Sequence, residues 1–184
     1  INHLYISSFF GFENEIDIFY FILILFFLLS LGIIDDKLSL KPFTKTTLSI
    51  ILFASFLITN NNFEINELRF AELEKILDLF NLSSFFTIAC FATLQIAFNM
   101  YDGINLQSSI YYFILSLFFL IFSNDYALKL FCFLMIIYLI FFSIFNYKNK
   151  IFLGDNGVFV FSFVFCLIIT KEYNSSILLN VERI

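Results

Sequence analysis

The chain has 184 residues, of which 61% are hydrophobic and 14% charged, against roughly 45–50% and about 25% in soluble domains. Its mean hydropathy of +0.94 excludes a soluble globule, which would expose apolar patches and aggregate, and excludes disorder. A net charge of −5 with ten Lys+Arg excludes a basic nucleic-acid surface, and three Cys exclude a disulfide framework.

Residues 1–17 read as a loop carrying Glu13, Glu15 and Asp17. No basic region precedes a short apolar core, so no signal peptide is expected. Both ends look cut, and the chain reads as a fragment of a larger multi-span protein. Six stretches then lack Asp, Glu, Lys and Arg: Ile18–Ile34, Thr46–Phe63, Leu79–Tyr101, Gly103–Asn124, Leu130–Tyr147 and Asn156–Thr170. A crossing helix needs about 17–25 predominantly apolar residues. Thr46–Phe63 fits with its polar ends at the interfaces. The last stretch needs Leu153 or a snorkelling Lys171, which sets that span near 153–170. The runs are continuously apolar and do not alternate, which excludes a barrel. The fold expected is all-α: one polytopic membrane domain over 1–184, with about six transmembrane helices.

The longest polar connection is Asn60–Asp78. Its alternating part, 63–70, suits a small hairpin or an interfacial segment. In Glu72–Leu82 the spacing of Leu73, Ile76, Leu77 and Phe80 predicts a helix. Cys90, Cys132 and Cys166 each sit in an apolar run and read as small buried hydrophobes.

If all six stretches cross, parity puts the Asp35-Asp36, Asp102 and Asp155 loops on one face. The raw count of Lys and Arg is the same on both sides. The lysines of the three-loop side lie in short loops, and the other side's basic residues lie mostly among acids. That leans the three loops towards the cytoplasm.

Acidic residues at span ends are costly to desolvate, by about 2.5–3.5 kcal/mol at a helix centre and less near an interface. Asp35 and Asp36 are adjacent, so on a helix they point about 100° apart and can face two neighbours. Asn99 and Asp102 are spaced i, i+3 on one helical face, before Gly103. Asp155 lies between Gly154 and Gly157 at the start of the last span. Each island alone is matched by a plain structural reading: a solvated helix end, a polar turn, an N-cap. Three together on one face, with lysines, suit a divalent metal and a diphosphate, because Mg²⁺ takes one or two carboxylates and completes its shell with phosphate and water.

In order along the chain stand Gly32-Ile-Ile-Asp35-Asp36, Lys45, Asn99-Met-Tyr-Asp102-Gly103 and Phe152-Leu-Gly154-Asp155-Asn-Gly157. This combination resembles the polyprenyl-phosphate N-acetylhexosamine-1-phosphate transferases, of the glycosyltransferase family 4 type, over about residues 18–170. The resemblance implies Mg²⁺-dependent transfer of sugar-1-phosphate, GlcNAc-1-phosphate first, from a UDP-sugar to undecaprenyl or another polyprenyl phosphate, with UMP leaving. It implies metal binding by Asp155 and base or lipid-phosphate-positioning roles for Asp35 and Asp36. Lys45, Asn99, Asp102 and Phe152 match substrate-site positions, Phe152 beside the uracil. Mn²⁺ is a substitute metal. The expected partners are UDP-N-acetylhexosamine, a polyprenyl phosphate and the bilayer, with a homodimer left open and no nucleic acid. The expected place is a bacterial inner membrane, with the active face cytoplasmic, in cell-envelope polysaccharide or peptidoglycan synthesis.

The chain departs from the family pattern at Asn105, where many members have Asp, and at Val158, where Ser is usual. No Gln follows Lys45 at the usual spacing. The family's later His-rich loop has no counterpart here; the one histidine is His3. Three alternatives stay open: the phospho-N-acetylmuramoyl-pentapeptide transferase branch, a transporter using intramembrane acids, and an inactive remnant.

Overall fold

A computed structural model of the chain describes residues 12, 14–70, 75–101 and 106–175. Six helices run up and down: α1 (Glu15–Leu38), α2 (Pro42–Thr59), α3 (Ser83–Tyr101), α4 (Gln107–Phe122), α5 (Tyr126–Tyr147) and α6 (Gly154–Asn174). Between α2 and α3 lie a 3-10 turn (Asn61–Phe63), an antiparallel hairpin of β1 (Glu67–Phe70) and β2 (Lys75–Asp78), and a second 3-10 turn (Phe80–Leu82) that leads into α3. The all-α polytopic architecture is therefore as expected.

Local chemistry moves several boundaries. α1 starts three residues before its charge-free run, because the Asp17 carboxylate accepts the Asn14 N–H at 3.1 Å and closes the first turn. It continues through Asp35-Asp36 and ends where Ser39 turns left-handed (φ 47°) and donates its N–H to the Asp35 carbonyl. Pro42 then opens α2 at a position that needs no N–H. α2 stops at Thr59, short of Phe63, and Asn60 takes the capping position. α5 begins at Tyr126, four residues early, because the Asp125 side chain accepts the Ala127 N–H at 2.9 Å.

Five helical segments are long and apolar enough to cross a bilayer; α4, with 16 residues, is shorter. At about 1.5 Å per residue it spans about 24 Å, less than a hydrocarbon core of about 30 Å. Its ends still reach both ends of the bundle. Leu106, just before it, donates its N–H to Asn146 at the C-terminal end of α5, and Ser123, just after it, donates to Glu172 near the end of α6.

The helix expected for Glu72–Leu82 is not there. Residues 75–78 form β2, paired with β1 so that Leu68 faces Leu77 and Arg69 faces Ile76. Ile76 and Leu77 are both exposed, so a helix here would have no apolar face to bury, whereas the hairpin satisfies its own backbone. Residues 71–74 lie outside the described set. The hairpin is tied to α6: the Tyr173 hydroxyl accepts the Arg69 N–H at 2.9 Å and donates to the Glu67 carbonyl at 3.1 Å.

The core is built round α6. It is buried on nearly all sides, from Val158 and Phe159 through Phe163 to Ile168, as a helix without a polar face should be. Phe163 stacks on Phe53 of α2 at 5.6 Å and meets Phe56 edge-on at 5.2 Å. The outer helices bury only narrow stripes and turn Phe19, Phe26, Leu134 and Phe141 outward, the surface that lipid requires.

One contact sets the register of α1 on α6. A Cβ at Gly32 would overlap the backbone of Asn156, so only glycine allows the two helices to touch there. Replacing Gly32 with Ala should therefore destabilise the protein by about 1–3 kcal/mol through overpacking, read as a lowered thermal midpoint in detergent. The vertical arrangement makes a second prediction. With Cys90, Cys132 and Cys166 replaced, Lys37→Cys and Lys150→Cys should react with an impermeant maleimide from one side of the membrane. Asn62→Cys should react from the other side.

Candidate functional site

The Gly32 contact puts the last turn of α1 beside the first turn of α6. Asp35 lies three residues beyond Gly32 on α1, and Asp155 immediately precedes Asn156. Ser39, Leu40 and Lys41 reverse the chain, and α2 then offers Lys45 from its first turn. The Lys45 ammonium donates to Asp35 Oδ2 at 2.8 Å and to Asp155 Oδ2 at 2.7 Å. One cation thus bridges carboxylates that are 120 residues apart in sequence and come from α1 and α6.

Asp35 is the buried member, with its side chain 3% exposed, against 17% for Lys45 and 24% for Asp155. Its second oxygen is also engaged, accepting the Leu40 N–H at 2.7 Å from the turn that follows α1. A carboxylate fixed by a backbone N–H and a shared ammonium has little freedom to rotate. That describes a positioning residue more than a mobile base.

Asp36 behaves differently. It is exposed, and about 100° of helical rotation turns it away from Lys45. Its carboxylate comes within 3.4 Å of where a Gly154 side chain would begin, and Gly154 itself has φ +70°. Glycine there serves both the left-handed turn and the space beside Asp36. The paired aspartates therefore face two neighbours, as their helical spacing requires.

Asn99, in the last turn of α3, completes the group. Its neighbours orient the amide: the nitrogen donates to Asp155 Oδ1 at 2.5 Å and the oxygen accepts from Lys45 at 3.3 Å. Asp155 is therefore not the N-cap of α6; Leu153 holds that position without a side-chain bond. Four helices contribute to one site at one end of the bundle, and the parity of the spans is met.

Asp102 and Asn105 lie outside the described residues. Phe152 is exposed and lines a cavity of about 250 Å³ among Leu29, Tyr138, Phe142 and Phe161. Lys45 and Asn99 line another, a cleft of about 530 Å³ between α2 and α3 with Thr46, Gln95, Met100 and Phe159.

Two side chains at this end carry no sequence signal of chemistry. Asn146 is buried in the last turn of α5; it accepts the Leu106 N–H at 2.7 Å and donates to the Ile151 carbonyl at 2.8 Å. It ties down the segment before α4 and the segment that leads to Asp155. Gln95 lies one turn before Asn99 on the same face of α3 and donates to Ser49 of α2 at 2.9 Å. A single polar residue near the end of an apolar run marks each of them, but only the folded bundle says what each one holds.

Among the described residues no three His, Cys, Asp or Glu side chains gather into a metal cage. The available donors are hard carboxylate oxygens from Asp36 and Asp155, flanking Gly154. That donor set suits Mg²⁺, which needs only one or two protein carboxylates when substrate phosphate and water fill the other positions. It does not suit a softer metal bound entirely by protein.

Three carboxylates against one ammonium leave the cluster anionic. An anionic substrate phosphate can settle there only with a cation, and four exposed lysines surround the same end: Lys37, Lys41, Lys148 and Lys150.

No curated protein matches the chain. The family model of glycosyl transferase family 4 matches residues 18–172. That stretch holds all six helices apart from their outermost ends, together with every member of the Lys45 cluster. The chain belongs to glycosyl transferase family 4.

Proposed function

We propose that this transferase moves sugar-1-phosphate, GlcNAc-1-phosphate as the first choice, from a UDP-sugar to a polyprenyl phosphate and releases UMP. Family membership supports the general reaction, a sugar-1-phosphate passed to a polyprenyl phosphate. The observation that carries the finer reading is the Lys45 bridge between Asp35 and Asp155, roofed by Asn99 at one end of a lipid-facing bundle.

In this reading a phosphate oxygen of the lipid attacks the β-phosphorus of the UDP-sugar. The new P–O bond forms as the bond to the bridging oxygen of UMP breaks, and that oxygen carries the electron pair away. A phosphomonoester has its second pKa near about 6, so the attacking oxygen is already ionised and no strong base is required. Charge neutralisation and alignment are what the site must supply.

Asp36 and Asp155 are the residues that would hold Mg²⁺, which when bound offsets the charge on the diphosphate and on the departing UMP. Lys45 holds Asp155 in place and presents a fixed positive charge. Asp35 holds Lys45 against the end of α1. Asn99 orients Asp155 through its second oxygen. Lys37, Lys41, Lys148 and Lys150 make no ion pair among the described residues, whereas Arg69 and Lys171 at the far end pair with Glu67 and Asp125. Free lysines in short loops support a cytoplasmic site, where UDP-sugars are made.

Membranes containing the intact protein should transfer ³²P-labelled sugar phosphate into an organic-extractable lipid only with Mg²⁺ or Mn²⁺ present. Asp155→Asn should lower that rate by at least about 100-fold. Unchanged transfer by Asp155→Asn would remove the metal assignment.

A further inference from the structure

The cleft between α2 and α3 continues from Lys45 and Asn99 into the bundle along Thr46, Gln95, Ile96 and Phe159. Gln95 is 3% exposed and sits one helical turn, about 6 Å, deeper than Asn99. Its amide nitrogen donates to Ser49 Oγ at 2.9 Å, and Ser49 passes its own hydrogen to the Lys45 carbonyl at 2.6 Å. That chain of donors fixes which way the amide faces. The remaining oxygen, Gln95 Oε1, is buried and accepts no hydrogen bond.

An unused acceptor inside a membrane bundle is costly, because neither lipid nor apolar side chains can satisfy it. The polar walls of the cleft do not supply the missing donor. The Lys45 ammonium is directed at Asp35 and Asp155, the Asn99 amide at Asp155, and the Thr46 hydroxyl at carbonyls of its own helix. The donor must therefore come from something lodged in the cleft, whose volume of about 530 Å³ is within the range of small-molecule sites.

We infer that Gln95 is a specificity residue whose Oε1 accepts a hydrogen bond from an N–H or O–H of the donor sugar. The inference rests on the proposed reaction. Of its two substrates, an ionised polyprenyl phosphate has only acceptors, so the donor group belongs to the sugar nucleotide. UMP leaves to water while the sugar stays tethered to a membrane lipid. The sugar therefore occupies the bilayer side of the phosphates, which is the side on which Gln95 lies beneath Lys45 and Asn99. The same residue has a purely structural use as an interhelical bond to Ser49, and the test must separate the two.

Equilibrium binding of UDP-GlcNAc and of UDP to the intact protein in membranes, with Mg²⁺ present, makes that separation. Gln95→Met keeps the length of the side chain and removes the acceptor. It should weaken UDP-GlcNAc about 3- to 10-fold, the worth of one neutral hydrogen bond, and leave UDP within about two-fold. Ser49→Ala removes the interhelical bond and keeps the acceptor, and it should leave both ligands within the same limit. Equal weakening of both ligands by Gln95→Met, no weakening of either, or a sugar-specific loss in Ser49→Ala would each overturn the inference. If the wild-type protein binds neither ligand, the proposed reaction falls and the role of Gln95 falls with it. Failure of the inference alone leaves wild-type UDP-GlcNAc binding intact.

Discussion

Where α1, α2 and α6 meet, one ammonium stands between two carboxylates, and the rest of the site is arranged around that pairing. Asp35 is nearly sealed from solvent. Removing its cation would leave a buried charge with no counter-ion, which generally costs about 3–5 kcal/mol. The pairing therefore fixes the end of α1, the start of α2 and the start of α6 together. It also holds Asp155 in one orientation through one oxygen while Asn99 holds the other. A charged cluster of this kind is poor glue in a protein core, because desolvation cancels much of the attraction. At the mouth of a membrane bundle it is better placed: Lys45 and Asp155 keep partial access to water, and the leftover negative charge attracts a divalent cation.

The scaffold under that cluster is apolar and lacks polar alternatives. α6 runs through the centre, ringed by Phe21, Phe53, Phe56 and Phe91 around Phe163. Bulky rings fill the space between helices, and a single glycine lets two backbones touch. That difference in size sets the tilt and register of α1 relative to α6. Asn146 does for the loops what Gly32 does for the helices. It supplies partners to backbone groups at Leu106 and Ile151 that would otherwise be unsatisfied beside the membrane. The opposite end uses neutralised pairs, Lys171 with Asp125 and Arg69 with Glu67, and a tyrosine that bonds the hairpin twice. One end is thus closed by internal pairing, and the other keeps charge to spare for a ligand.

A sugar-phosphate transferase at a membrane has two substrates of opposite solubility. The Lys45 cluster stands at the water end, and the cleft between α2 and α3 leads from it towards lipid. Polar groups along that cleft decline with depth, from Lys45 and Asn99 to Ser49 and Gln95. Each step inward makes an unpaired polar atom more costly and therefore more informative about what binds beside it.

The six apolar runs, their rough limits and the shared face of Asp35, Asp36 and Asp155 are determined by the sequence alone. Bilayer solvation acts residue by residue, so a charge-free run reveals a span without any knowledge of its neighbours, and counting spans assigns the faces. Helix ends are less legible, because Asp17, Ser39, Pro42 and Asp125 move them through hydrogen bonds and dihedral limits of a few residues. The helix read into Glu72–Leu82 failed for a related reason: four apolar residues match a helical period by chance when no buried face is required. Only the tertiary structure decided that Lys45 joins Asp35 to Asp155, that Asp36 turns to Gly154, and that Gln95 keeps a free acceptor. Those relations depend on the rotation of each helix about its axis. That rotation is set by contacts such as Gly32 on Asn156, between residues far apart in sequence, and no local pattern encodes them.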